Sequence, residues 1–346
     1  MTASHKEKLV SIKRPLLLTL LAASFALGVF VGSGMGLFSS PTVSRIETVP
    51  DQTEDSFRFI RASVESHNAG KIRTNKELKP FKYKVNALIE NTLKSGDAVA
   101  VSVYFRDLNN GNRFGIRGQE KLSPKSLLKV PLMIAYFKWA ESNPLVLRKT
   151  LKITGKGEEK GQRQGDQEKK LEAGQAYSVN DLIFRMIAHD DADAYALLYA
   201  NLPSSRFEKI FSDLYVEYDP NKQDDSISLN AFSVFFRVLY NASYLNEDMS
   251  EKALRYLSKS SFRSGMAAGI PPNIEIASKQ GERKVSVVTT DGDGKELSQL
   301  HEFGIIYHPN RPFLLGVMVR GENSDQLAKI VRDITRLVYE EVDKQS

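Results

Sequence analysis

Ser126 and Lys129 stand three residues apart in Ser126-Leu127-Leu128-Lys129, a spacing at which a serine and a lysine can cooperate chemically. A serine hydroxyl is a poor nucleophile at neutral pH and needs a base within hydrogen-bond reach. Residues i and i+3 share one face of a helix, so Lys129 can lie beside Ser126. A desolvated lysine among polar groups releases its proton more readily and can then take the serine proton. The pattern predicts a nucleophile and its base, although this tetrapeptide alone also occurs by chance.

The composition narrows the function classes. The chain has 346 residues, of which 41% are hydrophobic, enough to bury a full core. It has no cysteine, which excludes disulfides, thiolate zinc sites and cysteine nucleophiles. The net charge of +6 is spread along the chain without an aromatic-interleaved basic stripe, so nucleic acid is not an expected partner. His301 and His308 have no partners at metal-ligand spacing and are interpreted as structural, so we expect no metal or cofactor.

The N-terminal region predicts a membrane anchor. An uncharged apolar run covers residues 15–38 and follows four basic residues, Lys6, Lys8, Lys13 and Arg14. Its length matches the roughly 30 Å core of a bilayer and exceeds the apolar region of a cleaved signal peptide. The preceding positive charges place residues 1–14 in the cytoplasm. Residues 39–77 are predicted to form a stalk, in which the short segment 57–60 cannot form a core but could dock on one.

The hydrophobic periodicity predicts an α+β domain over residues 78–346. A helix beginning near Leu78 precedes a β-hairpin, and the last third of the chain returns to strands and a final helix. The predicted strands cover residues 99–105, 113–116, 274–279, 303–307 and 313–319. Further helices are predicted after Ser126 and near residues 182–187, 194–202, 206–214, 229–240, 250–258 and 325–342. We therefore expect an α/β sandwich: an antiparallel sheet from both chain ends (78–123 and 274–346), flanked by helices, with an all-helical subdomain (124–273) inserted.

The order of three short motifs resembles that of the penicillin-recognising serine enzymes, and most closely that of the class A β-lactamases. After the S-x-x-K at Ser126, the run His189-Asp190-Asp191 falls where that family has S-D-N. The run Lys279-Gln280-Gly281 falls where the family has K-T-G. The resemblance extends from about residue 80 to the C-terminus and implies an acyl-enzyme mechanism.

The resemblance implies a role for each motif residue that is present. Ser126 would attack an amide carbonyl with Lys129 as its base, and Lys279 would hold a substrate carboxylate. The backbone N–H groups of Ser126 and of Glu282, just after Gly281, would form the oxyanion hole.

Three positions depart from the family pattern. His189 replaces the serine that passes a proton to the leaving nitrogen, and histidine can carry protons near neutral pH. Asp191 replaces an asparagine, and its negative charge would hold Lys129 protonated. Gln280 replaces a threonine hydroxyl that helps to bind the substrate carboxylate, and an amide donor can still serve there.

The segment between Leu214 and Leu229 departs most from the family. Class A enzymes carry there a glutamate that activates the water for hydrolysis of the acyl-enzyme. This chain offers four acidic residues in a shorter segment, none in the family's E-x-x-L-N context: Glu217, Asp219, Asp224 and Asp225. We therefore expect an acyl-enzyme that forms but is long-lived.

These observations predict a single-pass protein of the bacterial cytoplasmic membrane with an extracytoplasmic serine hydrolase domain. Its expected substrate is a β-lactam or a peptidoglycan stem peptide. Two alternatives remain open at this stage. One is a penicillin-binding or D,D-peptidase-like cell-wall protein with slow deacylation, and the other is a non-catalytic wall- or protein-interaction module. The sequence makes no prediction of the oligomeric state.

Overall fold

A computed structural model describes residues 57–61, 75–153, 171–172, 174–218, 226–288 and 294–346. The predicted cytoplasmic tail, membrane anchor and most of the stalk lie outside these residues, as do Asp219, Asp224 and Asp225. Within the described ranges, no helix is both long and apolar enough to cross a bilayer. Residues Phe57–Ser346 form one compact unit.

The described elements follow the order that the sequence predicts: a helix, strands, a long helical block, strands and a final helix. The helices are α1 (Asn75–Lys94), α2 (Lys129–Ser142), α3 (Val179–Ala188), α4 (Ala192–Asn201), α5 (Ser204–Asp213), α6 (Leu229–Tyr240), α7 (Glu247–Leu257) and α8 (Ser324–Asp343). The strands are β1 (Ala100–Asp107), β2 (Arg113–Ile116), β3 (Lys121–Leu122), β4 (Thr150–Lys152), β5 (Ala176–Ser178), β6 (Ile227–Ser228), β7 (Ile276–Val288), β8 (Gly294–Ile306) and β9 (Phe313–Gly321).

The central sheet has the strand order β2-β1-β9-β8-β7, and all its neighbours are antiparallel. Strands from the two ends of the domain therefore meet at the β1–β9 pair, which confirms the predicted antiparallel sheet flanked by helices. The inserted subdomain is not purely helical, because β4 pairs with β5 within it and β6 pairs with β3. These two-stranded pairs are too short to give a period-2 signal in the sequence.

The hairpin of β7 and β8 is much longer than predicted. The two strands pair from Ile276 opposite Ile306 to Val288 opposite Gly294, whereas the apolar pattern ended the first strand at Lys279. Charged residues after that point do not break the strand, because the pairing with β8 continues through them and their side chains can reach diagonal partners across the hairpin. Lys284, for example, forms an ion pair of 2.8 Å with Glu296.

Each face of the sheet packs against a separate layer of helices. On one face, α1 and α8 bury residues such as Phe81 and Val331 against β1 and β9. On the other face, the inserted subdomain packs through α6, where the Phe232 ring lies 4.8 Å from the ring of Phe303 on β8. The interface between the sheet and the inserted subdomain contains the candidate site. The turn of residues 125–128, which leads into α2, packs beside β7.

The folded domain begins earlier in the chain than predicted. Phe59, which the sequence places in the stalk, is buried. Its N–H donates to Glu251 Oε2 at 2.8 Å, and its carbonyl accepts from the Tyr307 hydroxyl at 3.0 Å. One buried aromatic ring and two long-range hydrogen bonds therefore fix a segment too short to show periodicity. In addition, α1 begins at Asn75 instead of near Leu78.

Candidate active site

Ser126 lies in a single 3₁₀ turn, Lys125–Leu128, that runs directly into α2. Leu127, which is fully buried, anchors the turn, and its N–H donates to the Pro124 carbonyl at 2.7 Å. The backbone N–H of Lys129 donates to the Ser126 carbonyl, as expected for residues three apart. Ser126 itself is only half-buried. The turn therefore places the partly exposed serine just before the N-terminus of α2, a helix most of whose residues are buried.

The two lysines of the predicted site meet at one carboxylate oxygen. Lys129 Nζ donates to Oδ1 of Asp190 at 2.6 Å and to the Asp190 carbonyl at 2.7 Å. Lys279 Nζ donates to the same Oδ1 at 2.7 Å and to Gln280 Oε1 at 3.3 Å. The Lys279 side chain is 0% exposed, that of Lys129 is 4% exposed and that of Asp190 is 13% exposed. The structure thus joins the first and third motifs through an acidic residue of the second.

Asp190 reaches the lysines because of its backbone conformation. Helix α3 ends at Ala188, and Asp190 follows two residues later with a φ of 57°, in the left-handed region. This conformation is common just after a helix end, and aspartate and asparagine tolerate it better than most residues. Asp191 then takes the N-cap position of α4 and accepts from the Ala194 N–H at 3.0 Å.

The assignment of Asp191 to Lys129 is therefore corrected by one residue. Asp191 caps α4 and forms an ion pair of 3.2 Å with Arg185, whereas Asp190 contacts Lys129. His189 is exposed, and its ring packs edge-on against Phe184 at 5.5 Å. The residue between the two lysines is Asp190 and not Asp191, because the left-handed backbone at Asp190 directs this side chain toward them.

The charges of Asp190, Lys129 and Lys279 affect one another strongly. Burial alone would raise the pKa of Asp190, but the ammonium groups of Lys279 and Lys129, and their hydrogen bonds to the carboxylate, bring this pKa below its ordinary value. Asp190 is consequently ionised at neutral pH. An ionised carboxylate 2.6 Å from Lys129 stabilises the ammonium form of that lysine.

Strand β7 forms the other side of the site. It is the last strand of the described sheet, and the turn of Ser126 packs beside it. Gly281 pairs with His301 on β8, and a Cβ at Gly281 would overlap the imidazole Nε2. The Glu282 side chain is exposed and accepts from the Ser324 hydroxyl at 2.5 Å, so only its backbone is a candidate for the oxyanion hole.

The residues predicted from the sequence are thus partly assembled. The structure brings together the turn of Ser126 with Lys129, Lys279 and Gln280, while Gly281 lies behind them on the same strand. Glu217, the one candidate deacylating acid among the described residues, is exposed on the segment after α5. In the described part of the chain, no group of three or more acidic or histidine side chains is arranged to hold a metal ion.

Two buried titratable residues on β8, His301 and Glu302, were not predicted to lie near the site. Burial lowers the pKa of His301 to about 3, so this histidine is neutral. Glu302, opposite Gln280, is fully buried and accepts from the Met266 N–H at 2.9 Å and the Ser278 hydroxyl at 3.0 Å. Burial raises its pKa to about 7. An acid between His301 and Phe303 can be recognised as buried only once the strand pairing is known.

The Glu302→Gln variant is expected to change the pH dependence of stability. An acid whose folded pKa is raised from 4.5 to about 7 holds a proton that the unfolded chain has released. Its favourable contribution is therefore fully present below the unfolded pKa and is lost as the pH rises through the folded one. Glutamine mimics the neutral acid, because its carbonyl can accept from Met266 and its amide can donate to Ser278.

Denaturant unfolding of both proteins from about pH 4 to about pH 8 measures this effect. The wild type should lose roughly 3 kcal/mol more unfolding free energy than the variant over that range. Parallel stability curves for the two proteins would show that Glu302 ionises without cost.

Comparisons with known proteins extend these observations. A family model described as the beta-lactamase enzyme family matches residues 80–342. A PBP-A mutant, solved as an acyl-enzyme complex with penicillin-G, is 15% identical over 76% of this chain and 97% of that chain, with a TM-score of 0.62. A beta lactamase from Xanthomonas campestris is 17% identical over 75% and 97% of the two chains, with a TM-score of 0.61. A class A beta-lactamase from Mycobacterium abscessus is 18% identical over 75% and 98%, with a TM-score of 0.60.

At these identities the solved structures show a shared fold. A search of curated proteins found no match.

Proposed function

This chain belongs to the beta-lactamase enzyme family, and we propose that it is a serine enzyme that forms an acyl-enzyme at Ser126 with a β-lactam or a related amide and releases it slowly. The observation that carries the proposal is the meeting of all three motifs at Asp190, whose Oδ1 lies 2.6 Å from Lys129 Nζ and 2.7 Å from Lys279 Nζ. A chance S-x-x-K tetrapeptide has no reason to meet a K-x-G lysine at a shared buried carboxylate. The PBP-A complex with penicillin-G supports acylation as the chemistry of this fold.

The proton of Ser126 needs an acceptor in this site. Lys129 passes one proton to Asp190 while it takes the proton of the Ser126 hydroxyl, and the serine oxygen forms its bond to the carbonyl carbon. Asp190, now neutral, returns its proton to the leaving nitrogen as the carbon–nitrogen bond breaks. Asp190 thereby takes the role that the family resemblance implied for His189. Because the two lysines lower the pKa of Asp190, this proton transfer is uphill and acylation is slow.

The carbonyl oxygen becomes negative in the transition state and needs donors. The backbone N–H groups of Ser126 and Glu282 provide them, since the turn of Ser126 packs beside β7. Gln280 lies on the same strand as Glu282, and its side-chain Oε1 accepts a hydrogen bond from Lys279. Gly281 lets His301 pack behind the strand, which keeps the strand close to the turn.

Slow release of the acyl group follows from the segment after α5. Glu217 is exposed there, and the family's E-x-x-L-N context is absent from the sequence. Because the described residues of this segment position no carboxylate to activate water, we expect hydrolysis of the acyl-enzyme to be slow. This feature favours a penicillin-binding or peptidase-like cell-wall enzyme over an efficient β-lactamase.

The place of action belongs to the same proposal. The apolar run of residues 15–38 and the basic residues before it favour a single membrane span, with the domain outside a bacterial cytoplasmic membrane. The full chain should then stay with membranes after an alkaline wash, and external protease should digest the domain in spheroplasts. Release by the wash, or protection from the protease, would contradict this location.

A fluorescent penicillin tests the proposed activity. Incubation of the wild-type protein should give a covalent band in a denaturing gel that grows over minutes to hours. After a chase with unlabelled penicillin, the band should persist for hours. Absence of any band would contradict acylation and favour a non-catalytic module, and loss of the band within seconds would show that another group replaces the missing glutamate.

A further inference from the structure

Asp190 is more accessible than the two lysines that it joins. Its side chain is 13% exposed, while those of Lys279 and Lys129 are 0% and 4% exposed. A substrate that enters the site therefore meets the carboxylate before it meets either ammonium group. An anionic substrate would bind better if it met the ammonium groups before the carboxylate.

Lys279 already has protein acceptors for its charge. Its ammonium group donates to Asp190 Oδ1 at 2.7 Å and to Gln280 Oε1 at 3.3 Å. A substrate carboxylate at this lysine would have to approach the ionised Asp190 as well. Two carboxylates that share one site repel each other, and one of them has to take up a proton before both can stay.

Gln280 also favours an uncharged substrate over an anionic one. Its side-chain oxygen faces Lys279, so its amide nitrogen is the part directed elsewhere. An amide N–H donates equally well to the neutral carbonyl of an ester or amide, whereas it brings no charge to balance an anion.

We infer that this enzyme selects acyl donors that carry no carboxylate beside the reacting bond, namely neutral or cationic esters and amides, because Asp190 occupies the anion position at Lys279. The inference rests on the proposed acylation of Ser126. It departs from the role of Lys279 implied by the family resemblance, in which that lysine holds a substrate carboxylate.

Benzylpenicillin and its methyl ester form a matched pair for the test, because they differ only at that carboxylate, which is charged in the first and a neutral methyl ester in the second. Intact-protein mass spectrometry of the wild type, over a series of concentrations, gives the second-order rate constant for adduct formation with each. The methyl ester should react at least about tenfold faster than the free acid. Equal rates, or a faster free acid, would overturn the inference.

The Ser126→Ala variant separates the failure of the inference from that of the proposed function. If the adducts depend on Ser126 and the free acid is faster, the proposed function stands and the inference fails. If adducts form equally well without Ser126, or if neither compound reacts with the wild type, the proposed function fails and the inference with it.

Charge removal at Asp190 provides a second arm. The Asp190→Asn variant should shift the ratio of the two rate constants toward the free acid by about tenfold. Asp193→Asn, which neutralises an exposed carboxylate in the first turn of α4, should leave the ratio unchanged. A ratio that changes equally in both variants would show a general charge effect and overturn the inference. The comparison in the wild type decides the question if Asp190→Asn does not fold or, because it lacks the carboxylate that carries the proton, forms no adduct.

Discussion

Replacing Ser126 by alanine should abolish covalent labelling by β-lactams, lowering the rate of adduct formation by on the order of a thousandfold or more. Alanine removes the attacking oxygen and leaves no other group at the end of the turn that can form an ester. Because Ser126 is half-buried and lies outside the core clusters, the unfolding free energy should change by less than about 0.5 kcal/mol. The measurement is the time course of labelling by a fluorescent penicillin, together with denaturant unfolding of each protein.

Ser204 provides the matched control. It is an exposed serine in the first turn of α5, and Ser204→Ala should be labelled at the rate of the wild type. Undiminished labelling of a folded Ser126→Ala variant would show that another residue is the nucleophile.

Replacing Asp190 by asparagine should lower the unfolding free energy at neutral pH by about 4 kcal/mol. The change leaves two buried ammonium groups, Lys129 and Lys279, without the anion that both contact. Asparagine also tolerates the left-handed backbone at this position, so the effect reports the charge and not backbone strain. Asp193→Asn, an exposed neighbour, should cost less than about 0.5 kcal/mol.

The pH dependence identifies the cause of this loss. A carboxyl whose folded pKa lies below its ordinary 3.8 stabilises the protein above that value, and this contribution disappears as the pH falls through the folded pKa. The difference between the wild type and Asp190→Asn should therefore shrink in acid. It should also shrink toward alkaline pH, where a lysine of the variant can release its proton. A difference that is constant from acid to alkaline pH would show that packing, and not charge, links Asp190 to the lysines.

Much of the fold follows from local sequence patterns. The predicted helix at residues 229–240 coincides with α6, because its apolar spacing and the Ser228 cap agree. The helix predicted near residues 182–187 is α3, and it begins directly after Ser178, whose hydroxyl accepts from the Asp181 N–H at 3.1 Å. These elements depend on neighbours in the chain, so the sequence alone defines their ends.

The features that local sequence patterns left open or missed depend on distant contacts. Phe59 is fixed by Glu251 and Tyr307, which are far away in the chain. The long β7–β8 hairpin depends on strand pairing that continues through charged residues such as Lys284, which an apolar pattern treats as the end of a strand. Neither feature leaves a periodic pattern near its own position.

The motifs of the candidate site could be predicted from the sequence, but the contacts between their side chains could not. The order of the motifs indicated that Ser126, Lys129 and Lys279 would converge. The choice between Asp190 and Asp191 depended on one left-handed residue after α3, and two adjacent aspartates give no sign of which one turns inward. That single backbone angle decides which carboxylate contacts the lysines.

The central claim is that Ser126 is the acylated residue, and locating the acyl group tests it most directly. The wild-type protein is treated with benzylpenicillin methyl ester, digested under mildly acidic conditions and sequenced by tandem mass spectrometry. The added mass should lie on the peptide that contains Ser126 and should fragment with that side chain. An adduct on any other residue, or unmodified Ser126 peptide in fully reacted protein, would contradict the proposed function.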